Sequence, residues 1–300
     1  MLNSLSDLIL SIGGRIKNGG VVINNHTQNG KQIRMQVETL GRYFDFIHHD
    51  ELLSRLTQRK SKPFCLFTFD DGKKINAIET APEMERLGVP GVFFVATEFL
   101  YHNIPLWFDV QEGLKKKLGA LPADLELFAL KQLPFAELKE RIEKACNEYG
   151  VTVDMSNACI APMSWDDART LKNKGFTIGA HTTWHSILTN EPINTALTDI
   201  EHSINTVTKE IGSPCQSFAF ANGNYTPYLA QHAMNCGVKT VMTTEPMWAK
   251  ETFPAWKLPR IQMHNYYNNK HVILKVVAAM PGVLLKNNDG TGRRYVYKSV

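Results

Sequence analysis

The feature that most constrains the fold of this chain is an alternation of short apolar runs with longer segments of helical spacing. The runs occupy residues 21–24, 64–69, 92–96, 176–180, 217–221, 240–244 and 260–263, and they are rich in β-branched and aromatic side chains. Each is short enough for a buried strand and too short for a helix. Between them, residues 35–46 place Met35, Val37, Leu40 and Phe44 near one face, and residues 75–87 and 165–171 behave similarly. Residues 194–211 put Leu197, Ile200, Ile204, Val207 and Ile211 at steps of three and four, the signature of an amphipathic helix. Strand and helix in strict turn predict parallel βα units. About seven strands favour a distorted (β/α) barrel of the α/β class over an open sheet, and one barrel routinely uses roughly 200–250 residues as a single domain.

One stretch breaks the rhythm. Residues 101–163 are long, helix-rich and carry the charged runs 115–117 and 137–144, so they read as a helical segment inserted between two strands. After Val283 the pattern decays, and residues 284–300 read as a C-terminal arm. A single domain spanning 1–300 is the expectation.

Composition removes several classes of function. Hydrophobic residues make up 43% and charged residues 21%, which suits a chain with a sizeable core. A formal charge of +4 is too slight for a dedicated nucleic-acid binder. The five cysteines form no close pair, so neither a disulfide framework nor a cysteine-based zinc site is expected. The mildly apolar start lacks a basic leader and is interrupted by Asn3, Ser4, Ser6 and Asp7. No run approaches the ~18 apolar residues of a membrane span. A soluble cytoplasmic protein is the expectation.

The chemistry gathers at two motifs. Thr68-Phe69-Asp70-Asp71-Gly72 follows an apolar run and sets two carboxylates at a strand end, where a parallel barrel places its reactive groups. Alone, Asp-Asp-Gly also reads as a simple turn with a helix N-cap. His181-Thr182-Thr183-Trp184-His185 follows a second strand, and two imidazoles four residues apart reach one ion from a single turn or tight loop. Alone, that pair also reads as two structural or exposed histidines. Taken together, two nitrogens and the Asp71 oxygen leave coordination positions open, the pattern of a catalytic metal site.

These two motifs, with Leu188-Thr189 behind the second, resemble the polysaccharide deacetylase family, also called the NodB-homology or carbohydrate esterase 4 family. The likeness runs from about residue 21 to 263. It implies a distorted (β/α) barrel and a metal-dependent hydrolase that removes the acetyl group from an N-acetylated sugar or oligosaccharide. It further implies Asp71, His181 and His185 as ligands of a divalent metal, zinc first, with cobalt, nickel or manganese as alternatives. Asp70 matches the general base, and Thr182 resembles a residue that helps hold the histidine loop. Residues 217–223 (Ser-Phe-Ala-Phe-Ala-Asn-Gly) resemble the third motif of the branch that makes bacterial surface glycans. They depart from it at Phe220 and Ala221, where that branch has Tyr and Pro. The Asn222 N–H matches the oxyanion donor. Leu258-Pro259-Arg260-Ile261 resembles a late strand in which Arg260 orients the base, the alternative being a surface arginine. His264 and His26 are both candidates for the general acid. His102, His202 and His232 have no motif context and read as surface residues. Trp107 and Trp184 are candidates for a sugar-stacking wall or for packing.

Three rivals stand beside this reading. A two-histidine, one-carboxylate set also describes non-haem iron oxygenases, whose His-x-Asp spacing is absent. A related barrel amide hydrolase acting on a non-sugar substrate has identical metal chemistry. The altered third motif also suits a catalytically silent sugar binder. The absence of a leader favours a nucleotide-linked, lipid-linked or short oligosaccharide substrate. Oligomeric state is left open.

Overall fold

A computed structural model describes residues 19–280, apart from Arg59 and Ser61. The expected C-terminal arm at 284–300 and the apolar start lie outside the described residues. Eight strands form one parallel sheet: β1 (Gly20–Asn25), β2 (Asp45–Phe46), β3 (Phe64–Phe69), β4 (Gly91–Val95), β5 (Thr177–Ala180), β6 (Ser217–Ala219), β7 (Thr240–Met242) and β8 (Ile261–Gln262). Their order is β7-β6-β5-β4-β3-β1-β8, with β2 paired beside the start of β3. The register aligns Gly20–Asn25 with Phe64–Phe69 residue for residue. The sheet curls into a distorted barrel. Its gap is bridged where Leu258, just before β8, exchanges main-chain hydrogen bonds with Val241 and Thr243.

The seven apolar runs become strands because both of their faces are covered. Along β1 and β3, Val21, Ile23, Cys65, Phe67 and Phe69 join the core beneath the outer helices. Val22, Phe64 and Leu66 alternate with them and join Val92, Phe94, Ala219, Met242 and Leu258 inside the barrel. That period of two with no polar face is expected of parallel strands buried on both sides.

The helices are α1 (Gly30–Leu40), α2 (Leu52–Thr57), α3 (Ala81–Leu87), α4 (Thr97–His102), α5 (Trp107–Leu118), α6 (Leu127–Leu130), α7 (Phe135–Tyr149), α8 (Trp165–Asn173), α9 (Ile193–Ile211), α10 (Pro227–Asn235) and α11 (Asn269–Ala278). The helix expected at 35–46 starts earlier and ends earlier. Asn29 and Gln32 form a reciprocal capping box at its start, and the chain leaves the helix at Gly41 to enter β2. The segment 75–87 divides into a π-helical turn over Asn76–Thr80 and then α3.

The insertion is helical as read. Helices α5, α6 and α7 pack around Trp107, Leu130, Leu138 and Ile142, and a second small cluster holds Leu114, Leu125 and Ala145. Its last stretch lies against the loop after β3: Met163 N–H donates to the Gly72 carbonyl at 2.8 Å and Lys74 N–H to the Ala161 carbonyl at 2.8 Å. The insertion therefore roofs the C-terminal ends of the strands, where the motif residues stand. Among the described residues, no helix is long and apolar enough to cross a membrane.

Candidate active site

At the end of β3 the chain turns sharply through Asp71 and Gly72, both with positive φ (78° and 71°). The turn sends the two carboxylates in different directions. Asp70 meets Arg260, whose guanidinium forks onto both of its oxygens at 2.7 and 2.8 Å. Arg260 is fully buried, donates also to the Thr243 carbonyl at 2.9 Å, and lies over the Phe94 ring at 5.4 Å. Burial is the strongest single influence on Asp70 and works to raise its pKa, but the Arg260 charge and hydrogen bonds, together with the charges of His181 and His26, outweigh it and hold the carboxyl below its ordinary value. Asp70 therefore stays ionised at neutral pH.

Asp71 faces the two histidines. Its Oδ1 lies 3.3 Å from His185 Nε2 and 3.8 Å from His181 Nε2, and the three ligand atoms sit within 4.8 Å of one another. His181 Nδ1 contacts the Ala219 carbonyl at 2.7 Å. A carbonyl only accepts, so Nδ1 carries the proton and Nε2 presents its lone pair toward Asp71. Burial lowers the His181 pKa to about 4, which keeps the ring neutral. For Asp71, burial pushes upward, yet the His185 contact and the charges around it prevail and hold the carboxyl well below the carboxylate range.

Asp71 Oδ1 is buried and makes no hydrogen bond of acceptable geometry. An ionised oxygen left so, facing two imidazole nitrogens, is costly unless something positive completes the cluster. Two neutral imidazoles and one carboxylate suit a borderline divalent ion such as Zn2+. The residues fit a metal.

The histidine loop is held from several sides. His181 N–H donates to the Val95 carbonyl at 2.9 Å, and two N–H groups of the first turn of α4, Thr97 and Glu98, donate to the Thr182 and Thr183 carbonyls. Thr182 contributes through that main-chain carbonyl, while its buried hydroxyl makes no hydrogen bond. The side chain that fastens the loop is Thr183, whose N–H (3.0 Å) and hydroxyl both donate to Asp199 on α9. Burial raises the Asp199 pKa to about 6. Five non-glycine residues with positive φ occur among the described residues, and four of them (Asp71, Thr182, His185 and Asn222) stand at this site. Backbone strain of this kind costs about 1–3 kcal/mol per residue and persists where function requires the geometry.

The third motif keeps a defined loop despite its altered residues. Phe220 and Ala221 are buried, and Asn222 (φ 55°) and Gly223 (φ 75°) carry the chain through a left-handed turn. A Cβ on Gly223 would lie 1.9 Å from Thr244 Oγ1, so no other residue fits there. The Asn222 side chain accepts from Lys131 of the insertion at 2.8 Å.

Asp70, Asp71, His181 and His185 floor one cavity of about 1250 Å³ that the insertion roofs. His26 and Asn222 line it as well, whereas His264 does not. The chain turns after β8 and carries His264 into an aromatic cluster, stacked on Tyr266 at 5.2 Å and edge-on to Tyr267 at 5.0 Å. His26 is placed by Gln28, which accepts from the His26 N–H at 2.7 Å and donates to the Met263 carbonyl at 3.0 Å. Trp107 lines the cavity and donates to the His185 carbonyl at 3.4 Å. Trp184 points away, between the rings of His102 and Phe135.

Sequence reasoning missed the pair Lys73–Asp109. The Lys73 ammonium is buried, contacts the Asp109 carboxylate on α5, and lies over the Phe99 and Phe108 rings at 5.0 and 5.1 Å. The pair locks the roof to the turn that carries Asp70 and Asp71. A lysine directly behind Asp-Asp-Gly is the one signal in the sequence that points to it.

A family model described as polysaccharide deacetylase matches residues 57–241, more than half of the chain. This chain belongs to the polysaccharide deacetylase family. Members of the family are hydrolases acting on the N-acetyl amide bonds of polysaccharides. Among solved structures, the Streptococcus pyogenes deacetylase PplD in complex with acetate aligns at TM-score 0.60 and 14% identity, over 86% of this chain and 98% of that one. IcaB from Ammonifex degensii aligns at 0.57 and 16%, over 87% and 98%. The BpsB deacetylase domain from Bordetella bronchiseptica aligns at 0.54 and 13%, over 81% and 95%. At such identities the likeness speaks for the polysaccharide deacetylase fold. No curated protein matches the sequence.

Proposed function

We propose that this family member hydrolyses the N-acetyl group of an amino sugar carried in an oligosaccharide or a carrier-linked intermediate. The observation that carries the reading is the convergence of Asp71, His181 and His185 beside the Arg260-held Asp70 on the floor of one cavity. The cavity exceeds the ~300–1,000 Å³ usual for small-molecule sites, which supports a substrate longer than one sugar ring.

Asp71, His181 and His185 would hold the divalent ion, Zn2+ by preference. When bound, such an ion supplies Lewis acidity, polarising the amide carbonyl and lowering the pKa of water from about 15.7 toward ~7. Asp70, kept ionised by Arg260, takes a proton as the water oxygen bonds to the carbonyl carbon. The Asn222 N–H is the donor we assign to the developing oxyanion, a contribution of about 3–4 kcal/mol when well placed. As the C–N bond breaks, a histidine protonates the departing amine, giving acetate and the free amino sugar. We assign this role to His26, since His264 stands in the Tyr266–Tyr267 cluster outside the cavity lining.

Acetate release from a panel of N-acetylated sugars and oligosaccharides, with metal-stripped and zinc-reloaded protein side by side, tests the proposal. Release that requires metal and vanishes in Asp70→Asn, while that variant still binds metal, is the expected result. One bound metal equivalent with no acetate from any sugar would overturn it in favour of a non-sugar amide or a silent binder.

A further inference from the structure

On the outer helical layer, away from the cavity, Glu201, His232 and Cys236 come together. Glu201 lies on α9, His232 on α10, and Cys236 just past the end of α10. Cys236 N–H donates to the His232 carbonyl at 3.0 Å, so the last turn continues through it. Residues four apart on a helical turn share one face, which sets the imidazole and the thiol side by side. Across the helix pair, a Glu201 carboxylate oxygen lies 3.0 Å from His232 Nε2. One ligand atom from each of the three residues falls within 4.8 Å of the others.

We propose that these three residues form a second transition-metal site, suited to Zn2+ and joining α9 to α10. A thiolate, an imidazole and a carboxylate are the donor types that bind borderline divalent ions, and three of them leave a position for water. A second observation points the same way. His232 Nε2 is buried yet makes no hydrogen bond of acceptable geometry, although a carboxylate oxygen stands close by. That arrangement is poor for a proton and good for a shared ion. Cys236 is a free thiol, the group that binds such an ion as a thiolate with release of its proton. The three residues are separate from the catalytic set and none of them lines the cavity. The two helices flank the segment that carries β6 and the Asn222 loop, so an ion there fastens the layer behind that loop.

The test is a Co2+ titration of chelator-stripped full-length protein, followed by zinc stoichiometry on the same samples. Cobalt bound to a thiolate gives a near-ultraviolet charge-transfer band, and the catalytic cluster contains no cysteine. Wild-type protein is expected to show the band and to bind about two equivalents of zinc; Cys236→Ser is expected to lose the band and keep about one. Glu201→Gln, an exposed change that leaves the thiol in place, is expected to keep the band but to weaken binding at least about tenfold. Matching circular dichroism of the stripped proteins separates ligand loss from unfolding, and His232→Gln repeats the test should Cys236→Ser fail to fold. No thiolate band in wild-type protein, or a band and stoichiometry unchanged in Cys236→Ser, overturns the proposal.

Discussion

Replacing Arg260 with methionine isolates the electrostatics of Asp70, the base of the proposed reaction. Arg260 is fully buried, and its fork meets both Asp70 oxygens at 2.7 and 2.8 Å. With charge centres near 4 Å apart and an effective dielectric of about 20, the pair interacts by roughly 4 kcal/mol. That equals about three pKa units. Burial alone pushes the Asp70 carboxyl upward, so without the guanidinium nothing equivalent opposes the rise. In Arg260→Met the acid limb of the pH–rate profile for acetate release is expected to move up by about two to three units. The loss of rate is then greatest at the acid end of the profile and smallest in mild base. Breaking a buried pair from one side also costs stability, about 3–5 kcal/mol by urea unfolding. Adding Asp70→Asn to that background removes the uncompensated charge and is expected to recover much of the stability but no activity. A profile that overlays the wild type, together with a stability change below about 1 kcal/mol, would refute the pairing as the means by which Asp70 stays ionised.

Five other substitutions probe separate parts of the molecule. Gly223→Ala drives a Cβ onto Thr244 and is expected to abolish acetate release by displacing the Asn222 turn, with a fall in Tm. Asp199→Ala frees the Thr183 anchor and is expected to weaken zinc binding about 10–100-fold in a chelator competition. His26→Gln is expected to lower kcat by about 10²–10⁴-fold, while His264→Gln stays near wild type; the reverse outcome restores His264 as the acid. His49 is buried at the opposite end of the barrel against Thr240, and burial lowers its pKa from 6.5 to about 4. Between those values the unfolded chain binds the proton and the fold does not, so stability is full above pH 6.5 and falls on acidification. The loss reaches about 3 kcal/mol near pH 4 and is expected to flatten in His49→Gln, as followed by urea unfolding.

Much of the architecture is legible because its cause is local. A parallel strand covered on both faces must be apolar throughout, and each of the seven runs coincides in the main with a strand. Strand β2 escaped because two half-buried residues, Asp45 and Phe46, carry no periodicity of their own. The start of α1 was missed because its signal is a cap, Asn29 with Gln32, rather than an apolar stripe. At the site, Asp70, Asp71, His181 and His185 stood out because each pair is held by adjacent or nearly adjacent residues on one turn. Partners brought together by tertiary packing leave no spacing to read. Lys73 with Asp109, and Thr183 with Asp199, meet only after the insertion and α9 have docked. The choice between His26 and His264 likewise depends on a turn after β8 that moves one ring into a tyrosine cluster.

The two hydrophobic clusters of the insertion bear on how such an enzyme changes over time. The roof supplies its own apolar centres around Trp107 and Leu114 and touches the reacting groups through a few polar fastenings, Lys73–Asp109 and Lys131–Asn222 among them. Apart from Trp107 and Phe108, which touch His185, its cavity-facing surface can therefore take substitutions without disturbing the barrel that holds Asp71, His181 and His185. On the function proposed above, substrate preference and bond-breaking chemistry would sit on parts of the chain that can drift at different rates, and a transplanted roof that preserves the fastenings would redirect one while conserving the other.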